Sequence, residues 1–156
     1  MVHTQGIAYG CLVNGVFWIL YYIIPKLTGH TVLSSIISRI VFWVYNALVL
    51  GTVVGILGGH AQGLEWAETP AILDPFISIG VVLLVINLLY PVIKIRAHKM
   101  YVSLWYATAA LIWTPLVYVL GNFLPQYVFS GTSGATISSM YIHDLVGLSV
   151  TPLGIA

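Results

Sequence analysis

Two histidines in this chain suit metal chemistry: His3, in Val2-His-Thr-Gln-Gly6, and His143, in Tyr141-Ile-His-Asp-Leu-Val-Gly-Leu-Ser-Val-Thr-Pro-Leu-Gly154. Each lies in or beside an apolar run, where an ionisable side chain is costly and is kept for a purpose. A neutral imidazole offers a lone pair to haem iron or to copper. One histidine is still one ligand, so for His143 alone the reading of a hydrogen-bonded packing residue stands beside that of a metal ligand. Asp144 adds a carboxyl whose burial near mid-bilayer costs ~2.5–3.5 kcal/mol on insertion scales. It is placed either to accept the second imidazole N–H or, protonated, to face a helix bundle. Adjacent helical residues point ~100° apart, so direct contact between the two side chains is not assured.

The other candidate groups carry less. His30 and His98 lie in basic connections and read as solvated or headgroup-contacting residues. His60, in Gly-Gly-His-Ala-Gln, either reaches a cofactor edge or solvates a turn. A single cysteine, Cys11, excludes an internal disulfide and a cysteine-cluster metal site, and reads as a small packing residue. The chain has no phosphate loop, dinucleotide fingerprint or nucleophile elbow. A net charge of +1 gives nucleic-acid binding no electrostatic support.

The elements that must position these residues follow from composition. The chain is 60% hydrophobic and 6% charged, against roughly 25% charged residues in a soluble domain. Apolar stretches recur over 7–27, 32–57, 75–93, 102–120 and 137–156, each near the ~20 residues that cross a bilayer as a helix. They are long and continuous rather than alternating, which fits helices much better than a transmembrane β-barrel. The expected fold is an all-α polytopic bundle of five spans forming one membrane domain over 1–156. All five basic residues, Lys26, Arg39, Lys94, Arg96 and Lys99, lie beside or within two connections, which are therefore cytoplasmic. Glu65, Glu68 and Asp74 fall in the intervening connection, and 122–135 carries no charge, so both belong outside. His3 and His143 then sit toward the same, external side. Gly51 and Gly55, four residues apart, read as a close helix contact, as do Gly6, Gly10, Gly15 and Gly80. The five tryptophans read as interfacial anchors and bundle fillers. An external amino end without a cleavable leader, and an apolar carboxyl end without a basic flank, lead us to expect a fragment of a longer subunit or one piece of a split gene.

Taken in order, the motifs resemble a family. Val2-His-Thr-Gln-Gly-Ile-Ala-Tyr-Gly-Cys-Leu-Val-Asn14, followed by Tyr21-Tyr22, resembles the second helix of the catalytic subunit I of C-type (cbb-type) haem-copper oxidases. The histidine-threonine pair, the asparagine eleven positions on and the aromatic pair fall in register. Gln62-Gly-Leu-Glu-Trp-Ala-Glu68 resembles that family's loop after its third helix, and Tyr101-Val-Ser-Leu-Trp-Tyr106 the start of its fifth. Tyr141 to Gly154 is similar to its sixth helix.

The resemblance implies a terminal respiratory oxidase subunit of a prokaryotic cytoplasmic membrane. Such a subunit reduces oxygen at a haem-copper centre, receives electrons through a low-spin haem and translocates protons. His3 would be an axial ligand of the low-spin haem, and His143 the first of three copper histidines facing the high-spin haem. Glu65 would match a calcium ligand near the haem propionates, with Glu68 supporting that region; carboxylate oxygens suit calcium. Without the family, both acids read as solvated loop charges. The implied partners are the remaining helices of the same subunit, cytochrome c-type subunits and lipid. The chain departs from the family around His143, where glycine and asparagine are replaced by Ile142 and Asp144. It also lacks the second low-spin ligand, the high-spin haem ligand, two copper histidines and the redox tyrosine, so these residues alone complete no cofactor site. The related nitric oxide reductases share the Gly63-to-Glu68 pattern but carry a glutamate shortly after the position of His143, where this chain reads Leu-Val-Gly-Leu-Ser-Val150. From a different class, a non-catalytic scaffold or a transporter piece broken at Pro25, Pro91, Pro115 and Pro152 stays open, although no internal repeat supports a transporter.

Overall fold

The computed structural model describes residues 2–64, 66–95 and 100–155. Glu65 and the 96–99 stretch that holds Arg96, His98 and Lys99 lie outside the described residues.

Four helices are long and apolar enough to cross a membrane: α1, Val2–Thr28; α2, Ser35–Leu57; α3, Asp74–Lys94; and α4, Val102–Val128. A fifth, α5, runs over 131–155. Its first half holds Thr132, Ser133, Thr136, Ser138 and Ser139, which dilute its apolar character without breaking the helix. No strand occurs among the described residues. Helices α1 and α5 begin earlier, and α4 ends later, than their apolar runs suggest. Hydropathy registers lipid contact, whereas Gln5, buried and hydrogen-bonded near the start of α1, and the hydroxyl-rich start of α5 are helical without being apolar. Only Phe129 and Ser130 separate α4 from α5.

Local chemistry explains the helix ends. Gly29 closes α1 in the left-handed conformation at φ 67°, and its N–H donates to the Pro25 carbonyl at 2.9 Å. The Ser34 hydroxyl caps α2, accepting from the Ile36 and Ile37 amides. Three π-helical segments interrupt the α pattern, at Gln5–Val13, Leu124–Val128 and Leu145–Val150. The first is propped by side chains reaching its carbonyls: Tyr45 donates to Tyr9 O at 2.5 Å and Asn14 to Gly10 O at 2.7 Å.

Packing places α1 against α2 and α3, α3 between α2 and α4, and α5 along α4. Toward the end of the bundle bearing Lys26 and Arg39, the core is Leu20 and Ile24 of α1, Val41 of α2, Leu84, Leu88 and Val92 of α3, and Leu104, Ala107 and Leu111 of α4. Lipid offers no hydrophobic drive between helices, so packing and polar bonds carry the specificity. Asn87, fully buried on α3, donates to Tyr21 of α1 at 3.1 Å and Ser38 of α2 at 2.9 Å, and accepts from the Ser34 amide at 2.9 Å. Asn14 and Asn46 pair their amides across α1 and α2. An apolar void of ≈100 Å³ lies among all five helices.

The opposite end is closed by the α2–α3 connection. Gly55 marks its landing: a Cβ there would collide with the Pro70 ring, and one at Gly51 would touch Leu73 at 3.4 Å. These two glycines therefore receive the connection rather than a neighbouring helix. Gly10 meets Val49 of α2, while Gly6, Gly15 and Gly80 face open space. Within the connection Trp66 adopts φ 64°, the one non-glycine residue with positive φ among those described, at a cost of ~1–2 kcal/mol.

Candidate functional site

At the connection end of the bundle, polar side chains that the apolar pattern conceals gather beneath the tucked connection. Gln5 of α1 is 3% exposed and donates to the Glu68 carboxylate, itself 6% exposed. One turn further along α1, the Tyr9 hydroxyl donates to Trp66 O at 2.7 Å and lies 3.3 Å from the Tyr141 hydroxyl of α5. Asp74, the first residue of α3 and 4% exposed, accepts from Gln62 at 2.5 Å and from Tyr118 of α4 at 3.2 Å. Gln62 also donates to Thr69 O at 2.6 Å. The connection is thus stitched to α1 and α3, and α3 to α4, by buried polar bonds. Removing one partner of such a bond strands the other without water, at ~1–3 kcal/mol.

This stitching decides where the two histidines point. Residues two apart on a helix lie about 200° apart, on nearly opposite faces. Gln5 turns inward, so His3 is exposed. Tyr141 is 2% exposed and packs with Ala67, Val117 and Leu145, so His143 is exposed on the far face of α5. His143 Nδ1 lies 3.1 Å from the carbonyl of Ser139, one turn back. A carbonyl only accepts, so Nδ1 carries a proton in this contact, and Nε2 is the nitrogen left for another partner. No group of three or more His, Cys, Asp or Glu that could hold a metal ion forms among the described residues. Each of the two histidines is a single, outward-facing donor.

The structure revises several sequence expectations. Asp144 does not take the His143 N–H, which goes to Ser139 O; it lies half-exposed beside its neighbour. Glu68 is not a solvated loop charge, because Gln5 holds it in the interior. Glu65 lies outside the described residues. His60 is exposed in the α2–α3 connection, near a broad depression shared with Gln62 and Gln126. Cys11 is exposed rather than packed. The sequence reading missed Gln5, Tyr9, Gln62, Tyr118, Gly121 and Tyr141. A signal for some of them was present: Gln5 and Tyr9 sit at i, i+4 in an apolar helix, the spacing of a polar stripe that needs partners.

The chemistry of the donors fits the groups the resemblance implies. An exposed imidazole directed away from its own bundle suits, in its neutral form, a haem iron or a copper whose other ligands come from elsewhere. The Glu68 carboxylate is already engaged by Gln5, which suits a supporting role better than that of a metal ligand.

Comparison with known proteins places the sequence in a family. The family model described as cytochrome C and quinol oxidase polypeptide I matches residues 1–156. Among curated relatives, a cytochrome c oxidase subunit 1 homolog of Agrobacterium tumefaciens (strain T37) is 21% identical over 96% of this chain and 30% of its own length. The cbb3-type cytochrome c oxidase subunit CcoN1 of Stutzerimonas stutzeri is 20% identical over 96% of the chain and 33% of its own length. A subunit 1 homolog of Azorhizobium caulinodans reaches 27% identity over 96% of the chain and 29% of its own length. The chain thus spans about a third of the length of these relatives or less. A match along every residue, on a helical bundle that offers two outward histidines, makes this chain a member of the cytochrome c and quinol oxidase polypeptide I family.

Proposed function

We propose that this chain is part of the catalytic subunit of a terminal respiratory oxidase of the C-type branch, in a prokaryotic cytoplasmic membrane. There it serves the reduction of oxygen to water, coupled to proton translocation. The observation that carries the reading is the paired exposure of His3 and His143. On two helices that run the same way, burial of Gln5 and of Tyr141 turns both imidazoles outward, away from the five-helix bundle.

In this reading His3 holds the low-spin haem iron and His143 one position on copper, the other ligands coming from the remaining helices of the subunit. When bound, haem and copper supply the electron transfer and oxygen chemistry. The chain's own contribution is to present and orient. Ser139 fixes the His143 tautomer through Nδ1, and Gln5 holds Glu68 in place beneath the acidic connection. Glu65 and Glu68 serve the region of the haem propionates, Glu65 with calcium. Cytochrome c-type subunits are the electron-donating partners. Oxygen rather than nitric oxide as substrate rests on Leu145–Val150, which holds no glutamate.

The test uses the full-length enzyme. His3→Ala should remove the low-spin haem band from the reduced-minus-oxidised spectrum, and an unchanged spectrum would refute its role. His143→Ala should lower the copper-to-haem ratio and abolish oxygen consumption while the low-spin haem band persists. Normal copper stoichiometry in that variant would end the assignment.

A further inference from the structure

We propose that Gly121 and Tyr141 are positioning residues for His143, with Tyr9 and the Trp66 carbonyl as the brace that holds them. The proposal rests on the reading of His143 as a copper ligand. It concerns what sets the direction of that imidazole.

The contact begins at Gly121 of α4. A Cβ built there would collide with the Cγ, Cδ2 and Cβ atoms of Tyr141. The Tyr141 ring therefore lies directly on the α4 backbone, at a place only glycine leaves open. Leu145, one turn on and 8% exposed, continues the same inward face against Val117 and Ala67. Rotation of α5 about its own axis is thus stopped by a flat ring seated in a notch.

The hydroxyl end of that ring is also held. Tyr9 has one hydroxyl hydrogen, and the Trp66 carbonyl, which only accepts, takes it at 2.7 Å. In the Tyr9–Tyr141 pair, 3.3 Å apart, Tyr141 is therefore the donor. Tyr9 is itself fixed through its backbone carbonyl, which accepts from Tyr45 at 2.5 Å. The carbonyl at the end of this line belongs to the one non-glycine residue with positive φ among those described, a local conformation held only where its surroundings enforce it. The line Tyr141–Tyr9–Trp66 joins α5, α1 and the connection, the three parts that carry His143, His3 and the acidic pair.

The consequence for His143 is angular. Side-chain groups sit ~5–6 Å from a helix axis, so a rotation of ~20° carries an imidazole ~2 Å. A ligand must hold its place within ~0.5 Å. Seating Tyr141 on Gly121 fixes His143 two residues on, on the opposite face.

The experiment uses purified full-length holoenzyme as wild type, Gly121→Ala and Tyr141→Phe. The readouts are the copper-to-haem ratio, the infrared stretch of carbon monoxide bound to the reduced enzyme, and the low-spin haem band. Gly121→Ala should lower copper content about tenfold or more, the scale on which outer-shell partners act on metal sites, with the low-spin haem band retained. Tyr141→Phe should keep copper but shift or broaden the carbon monoxide stretch, because the ring stays seated and loses its tether. If Gly121→Ala retains wild-type copper and a wild-type stretch, the proposal is overturned. If that variant fails to accumulate, Tyr141→Phe decides, and a wild-type stretch there overturns the proposal equally. A lowered melting temperature with an unaltered stretch and copper ratio would mark a purely structural contact and count against it. Wild-type enzyme without copper would overturn the ligand reading of His143 and this proposal together, whereas copper normal in all three proteins with an unaltered stretch overturns this proposal alone.

Discussion

A single amide on α3 shows how much one buried side chain can carry in a membrane bundle. Asn87 is fully buried and spends its donors on Tyr21 and Ser38 and its oxygen on the Ser34 amide, so it joins α1, α2 and the cap of α2 at once. Individual interhelical polar bonds in lipid average ~0.6 kcal/mol and reach ~1.7. Stranding the Ser34 N–H adds a desolvation penalty of ~1–3 kcal/mol. Asn87→Leu keeps the branched shape of the side chain and removes all of these bonds, so it should lower unfolding stability by about 1–3 kcal/mol in detergent. The melting midpoint, followed by tryptophan fluorescence, is the measurement; a midpoint equal to wild type would mean that packing alone holds these helices. The same logic separates what was legible at this scale from what was not. An asparagine inside an apolar run announces that it has partners, but not which ones. His3 and His143 were legible as ionisable residues in apolar surroundings, whereas the glycine under Tyr141 was not, because a notch is a relation between two helices and leaves no mark on either sequence alone.

At the scale of the helix, the departures from α geometry are the informative parts. The π-helical segment Gln5–Val13 follows His3 within two residues, and Leu145–Val150 follows His143 in the same way; such segments gather at functional sites. No period in the sequence predicts them. A stretch of apolar residues reads as a helix whether its backbone bonds run to the fourth or the fifth residue, and what distinguishes them is which side chains reach the backbone carbonyls. For the first segment, these are Tyr45, bonding Tyr9 O, and Asn14, bonding Gly10 O. Tyr45→Phe removes one prop while keeping the ring that meets Phe17 edge-on at 5.0 Å. The expected outcome is faster amide hydrogen exchange over 5–13, by roughly three- to tenfold for a local loss of about 1 kcal/mol, with α1 beyond Asn14 unaffected. Exchange that speeds up uniformly along α1 would instead place the effect on the whole helix. The number, type and order of the helices were legible because length and apolarity govern them. Their ends were read less well, since the polar starts of α1 and α5 are stabilised by partners rather than by lipid.

For the molecule as a whole, orientation is a matter of where the cations fall. The basic residues Lys26 and Arg39 flank one end of the bundle, and the opposite end carries Glu68 and Asp74 beneath the α2–α3 connection. Cytoplasmic loops collect Lys and Arg, while acids contribute little to the bias. The orientation therefore rests on the cations, and the burial of Glu68 and Asp74 does not weaken it. On that expectation both outward histidines belong to the external half, and the large exposed apolar side chains, such as Trp18, Trp43 and Leu57, lie on outer faces available to lipid or to further helices. This topology is open to a direct test in intact cells. In a Cys11→Ala background, His60→Cys, exposed in the α2–α3 connection, should react with a membrane-impermeant maleimide added outside. His30→Cys, exposed between α1 and α2, should react only after the membrane is permeabilised. The reverse pattern would invert the bundle, setting His3 and His143 in the cytoplasmic half and removing the basis for an external propionate region above them. Labelling of both sites from outside would instead break the alternation of helices on which the shared side of the two histidines depends.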